Sequence, residues 1–424
     1  MRHRIKPPAS NSARGWTARF ERALRRILLR KVAQLEHGRI TEESPNTFVI
    51  EQSAPLARRV TLHIRDPRCY GHILLAGTTG AAESYILGDW DCDDLAALIE
   101  IVLSSPRVYE GIDSGWAWLG ERVGALLHLR NRNSPEGSLR NIMAHYDLGN
   151  DFFGLFLDET MAYSCGVFER PDSTLHEASL AKFERICRKL DLSRDDSLVE
   201  IGTGWGGFAI YAAQRYGCRV TTTTISREQY DEARKRVQAA GVGELVTVIN
   251  QDYRDLTGTY SKLVSIEMIE AVGEDYLNQF LGICGRLLRE DGLMAIQGIT
   301  VPDDRYHKHR QLGSFINKYI FPGSHLVSVR RICEGVAAET DMFLASVEDI
   351  TPHYARTLRE WRHRFEANLD QVRAQGMSEA FIRMWRFYLV FCEAGFTQRW
   401  TGDVQWVFGK PRSRPPLLPL GEVT

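Results

Sequence analysis

An apolar strand, a glycine-rich turn and a helix follow one another within residues 197–217, and this succession constrains the fold most. In the string "SLVEIGTGWGGFAIYAAQRYG", Gly202, Gly204 and Gly207 match the spacing G-x-G-x-x-G. Glycine lets backbone N–H groups approach a ligand closely at the start of a helix. The position of the match between a strand and a helix favours a nucleotide-binding sheet. We therefore predict an α/β fold with a Rossmann-like parallel sheet.

The residues after the next strand argue against a dinucleotide. Rossmann domains that bind NAD carry an acid about 20 residues beyond the glycines, for the ribose hydroxyls. Here the string "CRVTTTTISREQ" offers threonines, and its first acid, Glu228, lies beyond the strand end. A single nucleoside such as S-adenosylmethionine fits better, with Glu200 facing its ammonium group. A plain strand–helix turn without a ligand is the alternative.

A second polar pair follows another apolar strand. In "SKLVSIEMIEAVG", Glu267 and Glu270 come directly after the strand. Open α/β sheets bind ligands at the carboxyl ends of their strands, so this pair is expected on the same rim as the glycine turn. Acids at a helix start are also favoured by the helix dipole. For Glu270 the functional and the structural interpretation both stay open.

Composition narrows the class of protein. A chain of 424 residues suggests two or three domains. Lys and Arg total 53 against 54 Asp and Glu, which argues against a nucleic-acid partner. Eight cysteines are scattered without a CxxC pair, so we expect neither a disulfide framework nor a metal site, and a reducing compartment. No apolar run reaches the ~18 residues of a spanning helix.

The pattern of charge and hydrophobicity divides the chain into five segments. They are a basic amphipathic helix over 1–37, an accessory α/β domain over 38–105, a linker over 106–140, a catalytic domain over 141–410 and an irregular tail over 411–424.

The N-terminal segment has the strongest charge bias. Residues 1–35 contain ten basic residues and one acid, with apolar residues at helical spacing. One interpretation is an interfacial helix on anionic lipid, which places the protein in the cytoplasm, peripheral at the inner face of the membrane. The other is a helix docked on its own protein with a solvated basic face.

Eight strings in order resemble the cyclopropane-fatty-acyl-phospholipid synthase family of S-adenosylmethionine-dependent fatty acid methyltransferases. They are "HYDLGNDFFGLFLDETMAYSC" (145–165), "EIGTGWGGFA" (200–209), "TISREQ" (224–229), "DYRDL" (252–256), "VSIEMIEAVG" (264–273), "FINKYIFPG" (315–323), "PHYARTLREW" (352–361) and "FCEAGF" (391–396). Segment 38–105 also resembles the accessory N-terminal domain of the family.

The resemblance implies a class I methyltransferase domain and methyl transfer to the double bond of unsaturated phospholipid acyl chains at a membrane surface. The product would be a cyclopropane or a methyl- or methylene-branched chain. The alternative is an S-adenosylmethionine-dependent methyltransferase acting on a small molecule. A homodimer, and a partner reductase for a methylene branch, are left open.

The resemblance also implies two sets of site residues. A bound bicarbonate, the family's base, would be held by Glu270, the Tyr354 hydroxyl and the backbones of Cys165 and Ile299. S-adenosylmethionine would be held by Tyr163, Ser164, Gly202, Gly204, Thr224, Gln229, Tyr253 and Arg254, beside Glu200.

One residue departs from the family pattern. Ring-forming members have a histidine where this chain has Gln297. Glutamine can donate a hydrogen bond to an oxyanion, but it does not titrate as imidazole does. We therefore expect Gln297 in the catalytic set, and the presence of bicarbonate and the choice between ring and branch stay open.

Overall fold

The computed structural model describes residues 11–32, 35, 39–43, 48–51, 59–113, 148–307 and 315–416. The chain forms two compact units. The N-terminal unit comprises residues 1–146 and 377–394, and the catalytic unit comprises residues 147–376 and 395–424. This division differs from the predicted boundaries, because residues 377–394 lie inside the predicted catalytic domain.

The N-terminal unit contains a four-stranded sheet in the order β2-β1-β3-β4, in which β1 pairs antiparallel with β2 and parallel with β3. Its elements are α1 (Asn11–Val32), β1 (Arg39–Glu43), β2 (Phe48–Glu51), β3 (Arg59–Ile64), α2 (Cys69–Leu87), β4 (Trp90–Cys92), α3 (Leu95–Leu103), α4 (Pro106–Asp113) and most of α13 (Glu379–Thr397).

Helix α1 packs within its own unit. Leu28 is buried, and Arg25 forms an ion pair of 3.0 Å with the buried Glu42. On the other side of the helix, Arg22, Arg26 and Arg30 are exposed at a spacing of four residues. The helix is therefore docked on its own protein, as the second of the two interpretations predicts, and its exposed side is basic.

Helix α4 (Pro106–Asp113) lies within the first residues of the predicted linker, 106–140. The apolar residues of this segment are continuous with the helical pattern that precedes them. The rest of the predicted linker lies outside the described residues.

Residues 377–394 join the N-terminal unit through specific polar contacts. The Arg383 guanidinium donates to the carbonyl oxygens of Tyr85 (2.6 Å) and Trp90 (2.9 Å) and to the carboxylate of Asp91 (3.0 Å). The Phe387 ring also packs on Tyr85, with centroids 5.8 Å apart. These contacts join residues distant in sequence, and the local pattern of residues 377–394 does not reveal them.

The catalytic unit is built on a seven-stranded sheet in the order β10-β11-β9-β8-β5-β6-β7. Its helices are α5 (Asn150–Gly154), α6 (Leu175–Lys189), α7 (Gly207–Tyr216), α8 (Arg227–Ala239), α9 (Glu274–Leu287), α10 (Val329–Glu339), α11 (Thr351–Ala367) and α12 (Leu369–Ala374). Its strands are β5 (Ser197–Ile201), β6 (Arg219–Thr224), β7 (Val246–Asn250), β8 (Tyr260–Ile266), β9 (Leu288–Thr300), β10 (Phe343–Asp349) and β11 (Gly402–Gly409).

Strands β5 to β9 pair in parallel, and β11 is antiparallel to both of its neighbours. Successive residues of one strand face opposite sides: Leu198 packs with α6 and α7, and Val199 packs with α9 and α10. The result is a three-layer α/β/α sandwich, which confirms the predicted fold class. The strand order reverses on either side of β5, and such a switch point is where doubly wound sheets bind ligands. Within the described residues, no helix is both long and apolar enough to cross a membrane.

Candidate active site

The glycine turn follows β5 at this switch point. The backbone N–H groups of Gly202 and Thr203 both donate to the carbonyl oxygen of Thr223, at 3.1 and 3.0 Å. Gly202 has φ of 103°, and a Cβ added there would lie 3.0 Å from the Cβ of Met268. A side chain at position 202 would therefore be strained and crowded, whereas the space beside Gly204 is open to 4 Å. This cradle fits a nucleoside.

Thr224 and Gln229 lie together beside the turn, as predicted for a cofactor site. The Thr224 hydroxyl donates to Oε1 of Gln229 at 2.9 Å. This hydrogen bond orients the amide of Gln229 through its oxygen, so its N–H groups remain as donors. Those donors match the oxygens of a ribose, so this pair fits the adenosine part of S-adenosylmethionine.

Glu200 lies within β5 and is buried. Its Oε2 accepts a hydrogen bond of 2.6 Å from the Thr222 hydroxyl. Burial raises the pKa of Glu200 to about 8, although this hydrogen bond acts in the opposite direction. Its predicted contact with the cofactor ammonium stays a prediction.

Tyr253 and Arg254 form a single 3₁₀ turn (Tyr253–Asp255) after β7. Nε and Nη2 of Arg254 donate to the carboxylate of Asp252 at 2.9 and 2.7 Å. The Tyr253 ring packs edge-on against Phe280, with centroids 5.3 Å apart. Both residues stay predicted cofactor ligands, and in this structure the guanidinium is paired with Asp252.

Tyr163 lies in a group of aromatic rings. Its centroid is 5.3 Å from that of Phe153 and 5.1 Å from that of Trp361. Tyr354 stacks on Phe396 at 4.2 Å and meets Trp361 edge-on at 6.2 Å. Aromatic faces attract cations, so this wall suits a positively charged ligand or intermediate.

The carboxylate of Glu267 collects three hydrogen bonds from distant parts of the chain. The backbone N–H of Cys165 and Nε2 of Gln297 both donate to its Oε1, each at 2.8 Å. The hydroxyl of Tyr354 donates to its Oε2. Glu267 is partly exposed, whereas Gln297 is buried. Sequence reasoning placed Glu267 at the strand end but not in the catalytic set.

The backbone at Glu267 is unusual. Its φ is 48°, in the left-handed region that few residues other than glycine adopt. Its N–H donates to the carbonyl oxygen of Gln297 at 2.8 Å, which ties the end of β8 to β9. Such strain costs about 1–3 kcal/mol and concentrates at functional sites.

Gln297 is held in one orientation by its cross-strand neighbour. Gln405 lies directly opposite on β11, and its Nε2 donates to Oε1 of Gln297 at 2.9 Å. Oε1 of Gln405 in turn accepts from Nζ of Lys189 at 2.6 Å, and Lys189 pairs with Glu348. The N–H groups of Gln297 therefore face the carboxyl groups of Glu267 and, at 3.2 Å, Asp403.

Glu270 follows within a 3₁₀ turn (Ile269–Ala271). Its Oε1 accepts from the backbone N–H of Ile299 at 2.5 Å, and its buried Oε2 has no hydrogen-bond partner among the described residues. A Cβ at Gly298 would lie 2.8 Å from Ile269 and 3.4 Å from Oε1 of Glu270, so a glycine is required for this approach. Burial and the neighbouring Glu267 raise the pKa of Glu270 to about 8.

Two buried charged residues complete the site, and sequence reasoning missed both. Burial and the charges of Glu267 and Glu270 raise the pKa of Asp403, whose Oδ1 has no hydrogen-bond partner in the part of the chain that the structure describes. Burial lowers the pKa of Lys182, whose Nζ donates to the Ser164 hydroxyl at 2.6 Å. Nothing in the local sequence marks either residue, because a lysine in a helix and an aspartate at the start of a strand are usually solvated.

The donors assigned to bicarbonate are thus already used by the protein. The N–H of Cys165 and the hydroxyl of Tyr354 donate to Glu267, and the N–H of Ile299 donates to Glu270. A bound bicarbonate does not fit this donor set. The Cys165 thiol is buried, and burial raises its pKa well above the ordinary value, so it is no nucleophile.

A family model described as Mycolic acid cyclopropane synthetase matches residues 133–406, which is more than half of the chain. The chain belongs to this family. The protein is accordingly an S-adenosylmethionine-dependent methyltransferase of the cyclopropane synthase type, as the resemblance predicted.

Individual relatives agree with this assignment. Tuberculostearic acid methyltransferase UfaA1 of Mycobacterium tuberculosis is 37% identical over 376 residues, which cover 87% of this chain and 84% of that protein. Cyclopropane-fatty-acyl-phospholipid synthase of Escherichia coli is 33% identical over 358 residues, covering 84% and 88%. The solved structure of mycolic acid cyclopropane synthase CmaA1 with SAH and CTAB is 31% identical, with a TM-score of 0.58 over 64% of this chain and 98% of that one.

Proposed function

We propose that this enzyme methylates the double bond of an unsaturated acyl chain in a phospholipid. The observation that carries the proposal is the group of Glu267, Glu270 and Asp403 beside an aromatic wall, on the rim that carries the glycine turn. The names of the relatives support it, since they include fatty acid and fatty-acyl-phospholipid substrates.

The chemistry explains why such a site is needed. An alkene is a poor nucleophile, so the sulfonium methyl of S-adenosylmethionine must be held in line with the π bond where water is excluded. Methyl transfer leaves a carbocation. The rings of Tyr354, Phe396 and Trp361 supply faces that attract a cation without reacting as strong nucleophiles. A nearby carboxylate then accepts a proton.

The product is a cyclopropane if the proton leaves the new methyl group and the ring closes. It is a methylene branch if a hydride shift precedes proton loss, and a saturated branch then needs a separate reductase. Gln297, which does not titrate, favours the branched outcome over the ring that accompanies histidine in the family.

The test uses purified enzyme, labelled S-adenosylmethionine and vesicles of dioleoyl phosphatidylglycerol, with distearoyl vesicles as the matched control. Label should enter the lipid only when the double bond is present. NMR of the product separates cyclopropane protons from those of an exocyclic methylene. Label that stays outside the lipid fraction would instead support the small-molecule alternative.

Glu270 remains a proposed catalytic residue. Glu270→Gln should lower turnover strongly and leave cofactor affinity, measured by calorimetry, largely unchanged. Turnover equal to that of the unmodified enzyme would remove Glu270 from the catalytic set.

The proposal places the enzyme at the cytoplasmic surface of the membrane. The exposed arginines of α1 supply the attraction to anionic lipid. A homodimer stays a prediction, and sedimentation equilibrium would test it.

A further inference from the structure

We propose that the carboxylate of Glu267 is the proton acceptor of the reaction and that this enzyme needs no bound bicarbonate. The inference rests on the proposed function and deepens it. The family resemblance assigns the N–H of Cys165 and the hydroxyl of Tyr354 to a bound bicarbonate. In this structure both donate to Glu267 instead.

The first argument is the hydrogen bonding. A bicarbonate in this site would need the N–H of Cys165 and the hydroxyl of Tyr354, and Glu267 accepts from both. A third donor, Nε2 of Gln297, also points at Glu267, at 2.8 Å. A carboxylate and a bicarbonate present the same planar pair of oxygens, so the side chain can take the place of the anion.

The second argument is charge. Glu267, Glu270 and Asp403 already lie together, and burial, together with their mutual repulsion, raises the pKa of Glu270 and of Asp403. One cation, Lys182, interacts electrostatically with Glu267 and Asp403. A further anion among these groups would compete with Glu267 for Lys182 and would disfavour ionisation of the three acids still more.

The third argument is the backbone. Glu267 keeps a left-handed φ of 48°, which a glycine would adopt without strain. As a residue, Glu267 is the least buried member of the group, because Asp403 is completely buried and Glu270 nearly so. Strain retained at this glutamate supports a functional role for its side chain.

The proposed step balances without a further reagent. After methyl transfer, a C–H bond of the new methyl group breaks and its proton moves to an oxygen of Glu267. The electron pair of that bond forms the closing C–C bond of a cyclopropane, or the C=C bond of a methylene group if a hydride shift has moved the positive charge. Burial raises the pKa of Glu267 above its ordinary value, although its three donors and Lys182 act in the opposite direction. A carboxylate with a raised pKa is a stronger base for the proton that leaves the methyl group.

The experiment compares Glu267→Gly with Glu267→Gln, in buffer freed of carbon dioxide and with added bicarbonate. The unmodified enzyme should show the same turnover in both buffers. Both variants should lose about 100-fold in turnover without bicarbonate, the scale of a lost general base. Bicarbonate should raise the turnover of Glu267→Gly by about tenfold or more, because glycine leaves the space and the hydrogen-bond donors to the anion. It should not raise the turnover of Glu267→Gln, because the glutamine amide still fills that space.

A second readout does not depend on activity. Titration with ¹³C-labelled bicarbonate, followed by NMR, should show binding to Glu267→Gly and none to the unmodified enzyme or to Glu267→Gln. Bicarbonate binding by the unmodified enzyme, its loss of turnover on bicarbonate removal, or full turnover of Glu267→Gly without bicarbonate would each overturn the inference. Absence of any lipid methylation by the unmodified enzyme would reject the proposed function, and the NMR titration would still decide whether Glu267 fills the anion site.

Discussion

The side-chain amide of Gln405 donates to the side-chain oxygen Oε1 of Gln297 across two paired strands, at 2.9 Å. This contact fixes which end of the Gln297 amide faces the carboxyl groups. The active site therefore depends on a residue that does not itself reach Glu267.

Gln405→Met should destabilise the protein. The change keeps the volume but removes the buried partner of Oε1 of Gln297 and one of the two partners of Nζ of Lys189, which keeps Glu348, and this costs about 1–3 kcal/mol. Urea unfolding measures the loss. Gln375→Met, at an exposed position, is the control, and equal midpoints for the two variants would contradict the expectation.

The pKa of Glu270 predicts a pH-dependent stability. Its ordinary value of 4.5 is raised to about 8 in the folded protein. Between these values the unfolded chain releases a proton that the folded protein keeps, so stability falls as pH rises through this range. Glu270→Gln removes this dependence, and its stability relative to the unmodified protein should rise by about 1–3 kcal/mol between pH 5 and pH 8. Urea unfolding at both pH values tests this, with the exposed Glu244→Gln as a variant whose difference should stay constant.

Thr224→Val should weaken cofactor binding. Without the hydroxyl, Gln229 loses the hydrogen bond that orients its amide, and the dissociation constant for S-adenosylhomocysteine should rise about 3- to 10-fold. Calorimetry provides the measurement. Thr221→Val, on the same strand, should bind normally, and identical affinities for both variants would exclude Thr224 and Gln229 from the cofactor site.

Replacing Arg22, Arg26 and Arg30 by glutamine should reduce sedimentation with anionic vesicles. Each basic residue near such a surface contributes about 1 kcal/mol, and the contribution is screened by salt. Glutamine at the exposed Arg194, Arg215 and Arg219 removes the same charge elsewhere. If both triple variants bind alike, α1 is only a docked helix.

Local sequence predicted the fold and part of the candidate site. The glycine turn and the carboxyl groups after β8 each lie in one short stretch and were predicted from it, whereas Thr224 and Gln229 were assigned through the family resemblance. The partners of Glu267 were not predicted, because Cys165 is 102 residues away and Tyr354 is 87. The sequence pattern also does not reveal that a glutamate adopts a left-handed φ.

Buried lysines were missed for a related reason. Lys182 and Lys189 lie two turns apart on α6, and each is buried against a polar side chain of another segment. A lysine on a helix is normally exposed to solvent, and only tertiary contacts reveal that these two are buried.

Because residues 377–394 belong to the N-terminal unit, they limit how chimeras can be made between members of the family. Exchange of residues 1–146 alone would leave Arg383 facing carbonyl oxygens and a carboxylate from a foreign sequence. A chimera should therefore carry both stretches from the same parent, even though the sequence pattern placed the later stretch in the catalytic domain.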